Sequence, residues 1–113
     1  MAVLTVNTFN RDSADVAALL VAAGASGDSF ANTGAEFVVI KNTNAATRTI
    51  TLDIQSLVDG QVVTDRTFTL GATTGLRIFG PFPTGIYNDG NNRANISYSS
   101  NTDVTVAVFK LGT

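Results

Sequence analysis

The sequence predicts an all-β fold: an antiparallel β-sandwich or jelly-roll-like barrel of about seven to eight strands, preceded by an N-terminal extended arm. Three observations predict it. Strand-length apolar patterns recur from Gly27 onward at roughly ten-residue spacing. Ten Gly, ten Asn and sixteen Thr in 113 residues favour tight turns and strands. Lys and Glu, the usual surface filling of helices, are nearly missing.

The elements follow in order. Ala2 to Thr8 alternates Val3, Thr5 and Asn7 against Leu4, Val6 and Thr8, which suits an extended arm or edge strand. Asn10 to Asp15 is polar, and Asp12-Ser13-Ala14-Asp15 is able to cap a short helix through Ala17, Leu19, Leu20 and Ala23, stopped at Gly24. The stretch is short, so an extended crossing segment or strand is the favoured reading. Residues 1–26 thus form an arm or crossing segment, and 27–113 the β-domain.

Phe37-Val38-Val39-Ile40 is a continuous apolar run, expected of a strand buried on both faces. Arg48 to Ile54 alternates, with Ile50, Leu52 and Ile54 inward and Thr49, Thr51 and Asp53 outward. The intervening Asn42 to Thr47 reads as a hairpin loop. Asp59-Gly60 marks a turn before Gln61 to Val63, and Phe68 and Leu70 face inward from Arg66 to Leu70. After a turn at Gly71 to Gly75 comes a strand at Leu76 to Phe79. Gly80-Pro81-Phe82-Pro83 must leave the sheet, because two prolines cannot donate to a ladder. The turn Asn88 to Asn92 precedes a last pair of strands, Arg93 to Tyr98 and Thr102 to Leu111, joined over Ser99-Ser100-Asn101. No fixed-period repeat occurs, so one domain is expected.

Composition also bounds the chemistry. His, Cys and Trp are absent, which excludes disulfides, Cys/His zinc sites, Cys nucleophiles and His acid–base catalysis. An Ig-type sandwich with its Cys-Trp-Cys signature is excluded with them. The expectation is a protein that is not an enzyme and carries no cofactor or metal. Net charge is −2, and Arg11, Lys41, Arg48, Arg66, Arg77, Arg93 and Lys110 are scattered singly. Nucleic acid calls for clustered cations, so no direct nucleic-acid partner is expected. Val16 to Ala23, the longest apolar run, has eight residues, too few for a membrane span, and no net positive stretch precedes it as in a signal peptide.

Asp59 and Asp65 form a conceivable carboxylate pair, yet both sit where Asp is favoured for local hydrogen bonds. Asp28, Asn32, Asp89 and Asn91 carry oxygens suited to calcium but lack the D-x-[DN]-x-[DN]-G loop with its distal Glu. Asn95-Ile96-Ser97 matches a glycosylation sequon, a match expected by chance in a chain so rich in Asn, Ser and Thr. Phe79, Phe82 and Tyr87, around the Pro81/Pro83 corner, suit either a protein interface or a cap on the open end of the core. Val3, Leu4 and Val6 are the matching candidates in the arm.

Gly27-Asp28-Ser29-Phe30-Ala31-Asn32-Thr33-Gly34, Val39-Ile40-Lys41-Asn42, Val58-Asp59-Gly60-Gln61-Val62-Val63-Thr64-Asp65-Arg66 and Gly80-Pro81-Phe82-Pro83 appear in that order. In this the chain resembles small β-rich virion proteins of tailed bacteriophages, among them head decoration (cement) proteins. The resemblance spans about Gly27 to Leu111. It implies a structural protein on the outer surface of the capsid, with the major capsid protein as partner, a homo-oligomeric state (a trimer from lattice geometry) and synthesis in the host cytoplasm. Other classes compatible with the residues are a tail, neck or head-fibre subunit, or a carbohydrate-binding or adhesin module. The last is weakened by the lack of Trp and by having only Tyr87 and Tyr98 as sugar-stacking candidates.

Overall fold

The computed structural model describes residues 2–112. Strands take 47% of the chain and helices 7%, which makes the fold all-β. The strands are β1 (Ala2–Val3), β2 (Val6–Phe9), β3 (Val21–Ala22), β4 (Asp28–Ala31), β5 (Glu36–Asn42), β6 (Arg48–Leu52), β7 (Leu57–Val58), β8 (Gln61–Val62), β9 (Arg66–Leu70), β10 (Gly75–Phe79), β11 (Arg93–Tyr98) and β12 (Val104–Leu111). Two single helical turns, α1 (Val16–Leu19) and α2 (Thr84–Tyr87), lie between β2 and β3 and between β10 and β11. Asp15 caps α1, its carboxylate accepting from the Ala18 N–H at 3.4 Å. The helix is shorter than the stretch to Ala23 because its cap and exposed face bring too little burial to extend it.

The first sheet runs β1-β4-β11-β6-β9 and the second β10-β5-β12-β2, while β7 and β8 form a separate ribbon. β12 carries β5 along one edge, and β3 and β2 successively along the other. Pairing is antiparallel with two exceptions, both in the N-terminal segment: β1 runs parallel to β4, and β2 parallel to β12. Strict antiparallel order is therefore corrected there. The segment expected as an arm crosses from the edge of one sheet to the edge of the other, and Leu4, buried between β1 and β2, joins the core.

Another correction concerns the loops. Asn42–Thr47 joins β5 of the second sheet to β6 of the first, so it is an arch between sheets and not a hairpin loop. The strand before it pairs instead with β12 over seven residues, Glu36 to Asn42 against Lys110 to Val104. Asn42 lies fully buried within the arch. Its Nδ2 donates to the carbonyls of Ala46 (2.9 Å) and Gly71 (3.1 Å), and its Oδ1 accepts from the Asn44 N–H (3.0 Å). A buried amide thus supplies the hydrogen bonds that a tight hairpin would have supplied through its backbone.

Both sheets contribute to one buried cluster. Phe30, Ile50, Leu52, Leu70 and Ile96 enter from the first, and Val38, Ile40, Val104, Val106 and Val108 from the second. Ile54 and Phe68 pack against it from its rim. The second sheet is apolar on its other face too. Val39, Ala107 and Phe109 are buried there under Phe9, Ala14, Leu19 and Leu20, which explains why Phe37 to Ile40 reads as one uninterrupted apolar run.

Candidate interaction surface

The aromatic corner begins where β10 ends. Gly80 has φ +143°, and a Cβ there would stand 2.9 Å from the Glu36 carbonyl oxygen and the Phe37 Cα, so only glycine lets the chain pass this close to β5. Beyond it, Phe82 turns inward. Its ring meets Phe79 at 5.8 Å, Phe30 at 5.4 Å and Tyr87 at 5.6 Å between centroids, and Phe79 meets Phe68 at 4.8 Å. The four contacts are edge-to-face, the orientation favoured by ring quadrupoles. Phe82 and Tyr87 are buried and Phe79 half-buried, so of the two roles the sequence leaves open, Phe82 and Tyr87 take that of a cap on the core and are not free interface residues. The flanking residues are what stay outside. A cleft of about 560 Å³ runs along the corner, walled by Leu52, Arg66, Ile78, Pro81 and Ile86, and the Arg66 Nε–H donates to the Tyr87 hydroxyl at 3.3 Å.

β9 and β10 are the outermost strands of their sheets on this flank. β10 alternates across its sheet: Arg77 and Phe79 turn to the inner side, where the guanidinium sits 5.5 Å from the Phe68 ring centre. Leu76 and Ile78 therefore face outward, and are 61% and 66% exposed. Ile78 rims an apolar groove of about 290 Å³ over Phe9, Phe37, Val39 and Phe109.

The β7–β8 ribbon projects between β6 and β9. Asp59 (φ +52°) and Gly60 (φ +75°) form its tip, the positive-φ pair that two-residue hairpins need. Leu57 and Val58 are largely exposed, and Val62 is 83% exposed. The base is held firmly: the Ile54 N–H donates to Asp65 Oδ1 at 2.9 Å, and the Gln55 and Ser56 N–H groups donate to the Ile86 carbonyl. Desolvation, and then the nearby Asp65 carboxylate, push the Asp53 carboxyl above its ordinary value.

On the opposite flank, Val3 is exposed, Leu4 buried and Val6 half-buried. Leu4 is thereby corrected as a free interface residue, since its side chain fills the crossing between the two sheets. The two groups of sequence candidates thus sit at opposite ends of the strand order, and no single surface unites them. Leu57, Val58, Val62, Leu76 and Ile78 were not singled out by sequence. The available signal for the ribbon was an Asp-Gly turn flanked on both sides by apolar residues too few to reach the core.

The polar candidates serve the loops. Asn32 is buried and donates to the Phe82 carbonyl (2.8 Å) and Asn88 Oδ1 (2.7 Å). Asp89 accepts from the Asn95 amide and the Asn91 and Arg93 N–H groups, which hold its carboxyl below the usual range. No three carboxylates gather among the described residues, and no helix there is long and apolar enough to cross a membrane. Comparison with known proteins returns no matching family model, no matching curated protein and no matching solved structure.

Proposed function

We propose that this chain is a non-catalytic structural protein of a tailed-phage virion, a decoration or cement protein that binds the outer surface of the major capsid lattice and stabilises the head. The observation that carries the binding role is exposed apolar surface: β10 ends its sheet with Leu76 and Ile78 outward, and the β7–β8 ribbon exposes Leu57, Val58 and Val62. Soluble edge strands are usually blunted by charge or proline, and apolar groups left outward at an edge suit a partner that covers them. The capsid as that partner rests on the resemblance of Gly27 to Leu111 to phage decoration proteins. On this reading the two sheets form a jelly-roll-like sandwich, consistent with a molecule 19 Å thin in its shortest dimension. The N-terminal segment keeps the arm role by exchanging onto a neighbour, and the protein assembles as a homotrimer.

The mechanism needs no chemistry. A partner that binds the assembled shell, and not its separated subunits, shifts the equilibrium toward the shell by mass action. The test compares heat disruption of shells with and without the protein, at low and high salt. Decorated shells should break at higher temperature, and the gain should survive salt because the exposed flank is mainly apolar. Equal disruption temperatures for decorated and bare shells refute the cementing role.

A further inference from the structure

The backbone of β10 is only half used. On one side of β12 the Thr43 N–H donates to the Asp103 carbonyl at 3.0 Å, and on the other the Ala23 N–H donates to the Val104 carbonyl at 3.0 Å. The β5–β12 register is unbroken from Asn42 opposite Val104 to Glu36 opposite Lys110, so odd-numbered residues of β5 bond to β12 and even-numbered ones turn to β10. Ile40 and Val38 stand opposite Arg77 and Phe79, and those two complete the ladder. Leu76 and Ile78 therefore direct their N–H and C=O groups away from β5, where the sheet order ends.

The side chains around this edge are sorted by chemistry. Leu76 and Ile78 stand exposed on the outer face, Ile78 at the rim of the apolar groove over Phe37 and Phe109. On the inner face, Arg77 of β10 and Arg66 of β9 line one cleft of about 170 Å³ together with Phe68 and Phe79. Both arginines are exposed, and no carboxylate lines this cleft or the larger one along the corner.

We propose that the edge of β10 takes up an extended segment of a partner chain that alternates apolar and acidic residues, apolar beside Leu76 and Ile78 and acidic beside Arg77. Free backbone groups supply the ladder, and the two arginines supply the charge to be matched. Opposed residues of paired strands face the same side of the sheet, so the alternation of β10 dictates that of its partner. A second copy of β10 does not meet this requirement. In the two-fold register that engages Leu76 and Ile78 of both strands, the two Arg77 side chains are directly opposed, and like charges there destabilise the pair. The proposal rests on the reading of this flank as the binding surface and adds the chemistry of what binds: apolar positions hold the segment, and charge selects it.

The test titrates two capped heptapeptides, one alternating Val with Glu and one alternating Val with Lys, into the isotope-labelled full chain and follows the amide resonances of Leu76 and Ile78. The Val/Glu peptide should give saturable shifts at both and bind at least about fivefold more tightly, because Lys forfeits an attraction and adds a repulsion at each opposed position. Arg77→Glu, a change at an exposed site, should abolish or invert that preference. Equal binding of the two peptides to the wild-type chain, or a preference that Arg77→Glu leaves unchanged, overturns the acidic partner. Without a saturable shift at Leu76 and Ile78 from either peptide, strand addition itself is overturned. The underlying reading is judged separately, by co-sedimentation of Ile78→Thr with shells: undiminished attachment removes this edge as the binding surface, whereas lost attachment without peptide binding keeps the surface and discards the added strand.

Discussion

Replacing Asn42 tests whether a buried side-chain amide holds the β5–β6 arch. Asn42→Ala removes three hydrogen bonds, to the Ala46 and Gly71 carbonyls and from the Asn44 N–H. At a net contribution of about 1 kcal/mol each, the loss is ~3 kcal/mol, or a fall in Tm of roughly 12 °C for a domain of this size. Asn42→Asp discriminates further. It keeps the acceptor for Asn44 but turns a carboxylate toward two carbonyl oxygens, so it should be less stable than Asn42→Ala at pH 7. Acid should return part of that loss, because a protonated carboxyl again donates one hydrogen bond. Urea unfolding followed by circular dichroism measures both, with m unchanged if only the native arch is affected. A loss below about 1 kcal/mol for Asn42→Ala, or an Asp variant as stable as the wild type at pH 7, refutes the assignment.

Two carboxylates should impose opposite pH dependences. Burial alone would raise the Glu36 carboxyl, but the Thr33 N–H and hydroxyl and the Ala35 N–H hold it below 4.5; its stabilisation is complete above that value and lost as pH falls through the folded pKa, so Glu36→Gln should flatten the acid limb of stability measured by urea unfolding. Asp53 is raised above 3.8, so its charge opposes folding at neutral pH and the penalty fades on acidification; Asp53→Asn should stabilise at pH 7 and be neutral below pH 3.8. Phe82→Ala, stripping the hub of the aromatic corner, should cost about 3–5 kcal/mol, and Leu4→Ala about 2–5; a loss under 1 kcal/mol in thermal unfolding at either position contradicts its placement in the core. Val62→Thr, on the exposed ribbon, should leave stability within about 0.5 kcal/mol while reducing attachment to shells in co-sedimentation.

Where hydrophobic period alone decides a strand, the sequence is readable. Ile50 and Leu52 are buried as their alternation requires, and Val104, Val106 and Val108 likewise. Phe37 to Ile40 reads correctly as a strand covered on both sides. Period says nothing about which sheet a strand joins. Asn42 to Thr47 has the composition of a hairpin loop because Asn and Thr favour chain reversal whether the next strand pairs with the last or crosses to the facing sheet. The choice is made by β12, whose partners on β5 lie more than sixty residues earlier in the chain. The parallel N-terminal pairings are hidden for a related reason: the alternation over Ala2 to Thr8 marks extended chain but not the partner or direction of its pairing. Phe79, Phe82 and Tyr87 look alike in either role, and only the neighbouring Phe30 and Phe68 rings decide the matter.

Both flanks are closed by a crossing of the chain, and they differ in what they leave exposed. On one side, a continuous stretch passes from β1 to β2 and buries Leu4, so the sheet edges there are tied together covalently. On the other, the turn at residues 71–74 carries the chain from β9 to β10, and these strands, like β1 and β2, end their sheets. Charge would be the usual protection at such an edge. Here Arg77, the one cation of β10, is turned inward over Phe68, and the outward positions hold Leu76 and Ile78. The Arg77 guanidinium stays exposed there, and the β7–β8 ribbon adds apolar groups that its own two strands are too short to bury. Apolar groups left outward at a sheet edge are the kind of surface that a partner covers.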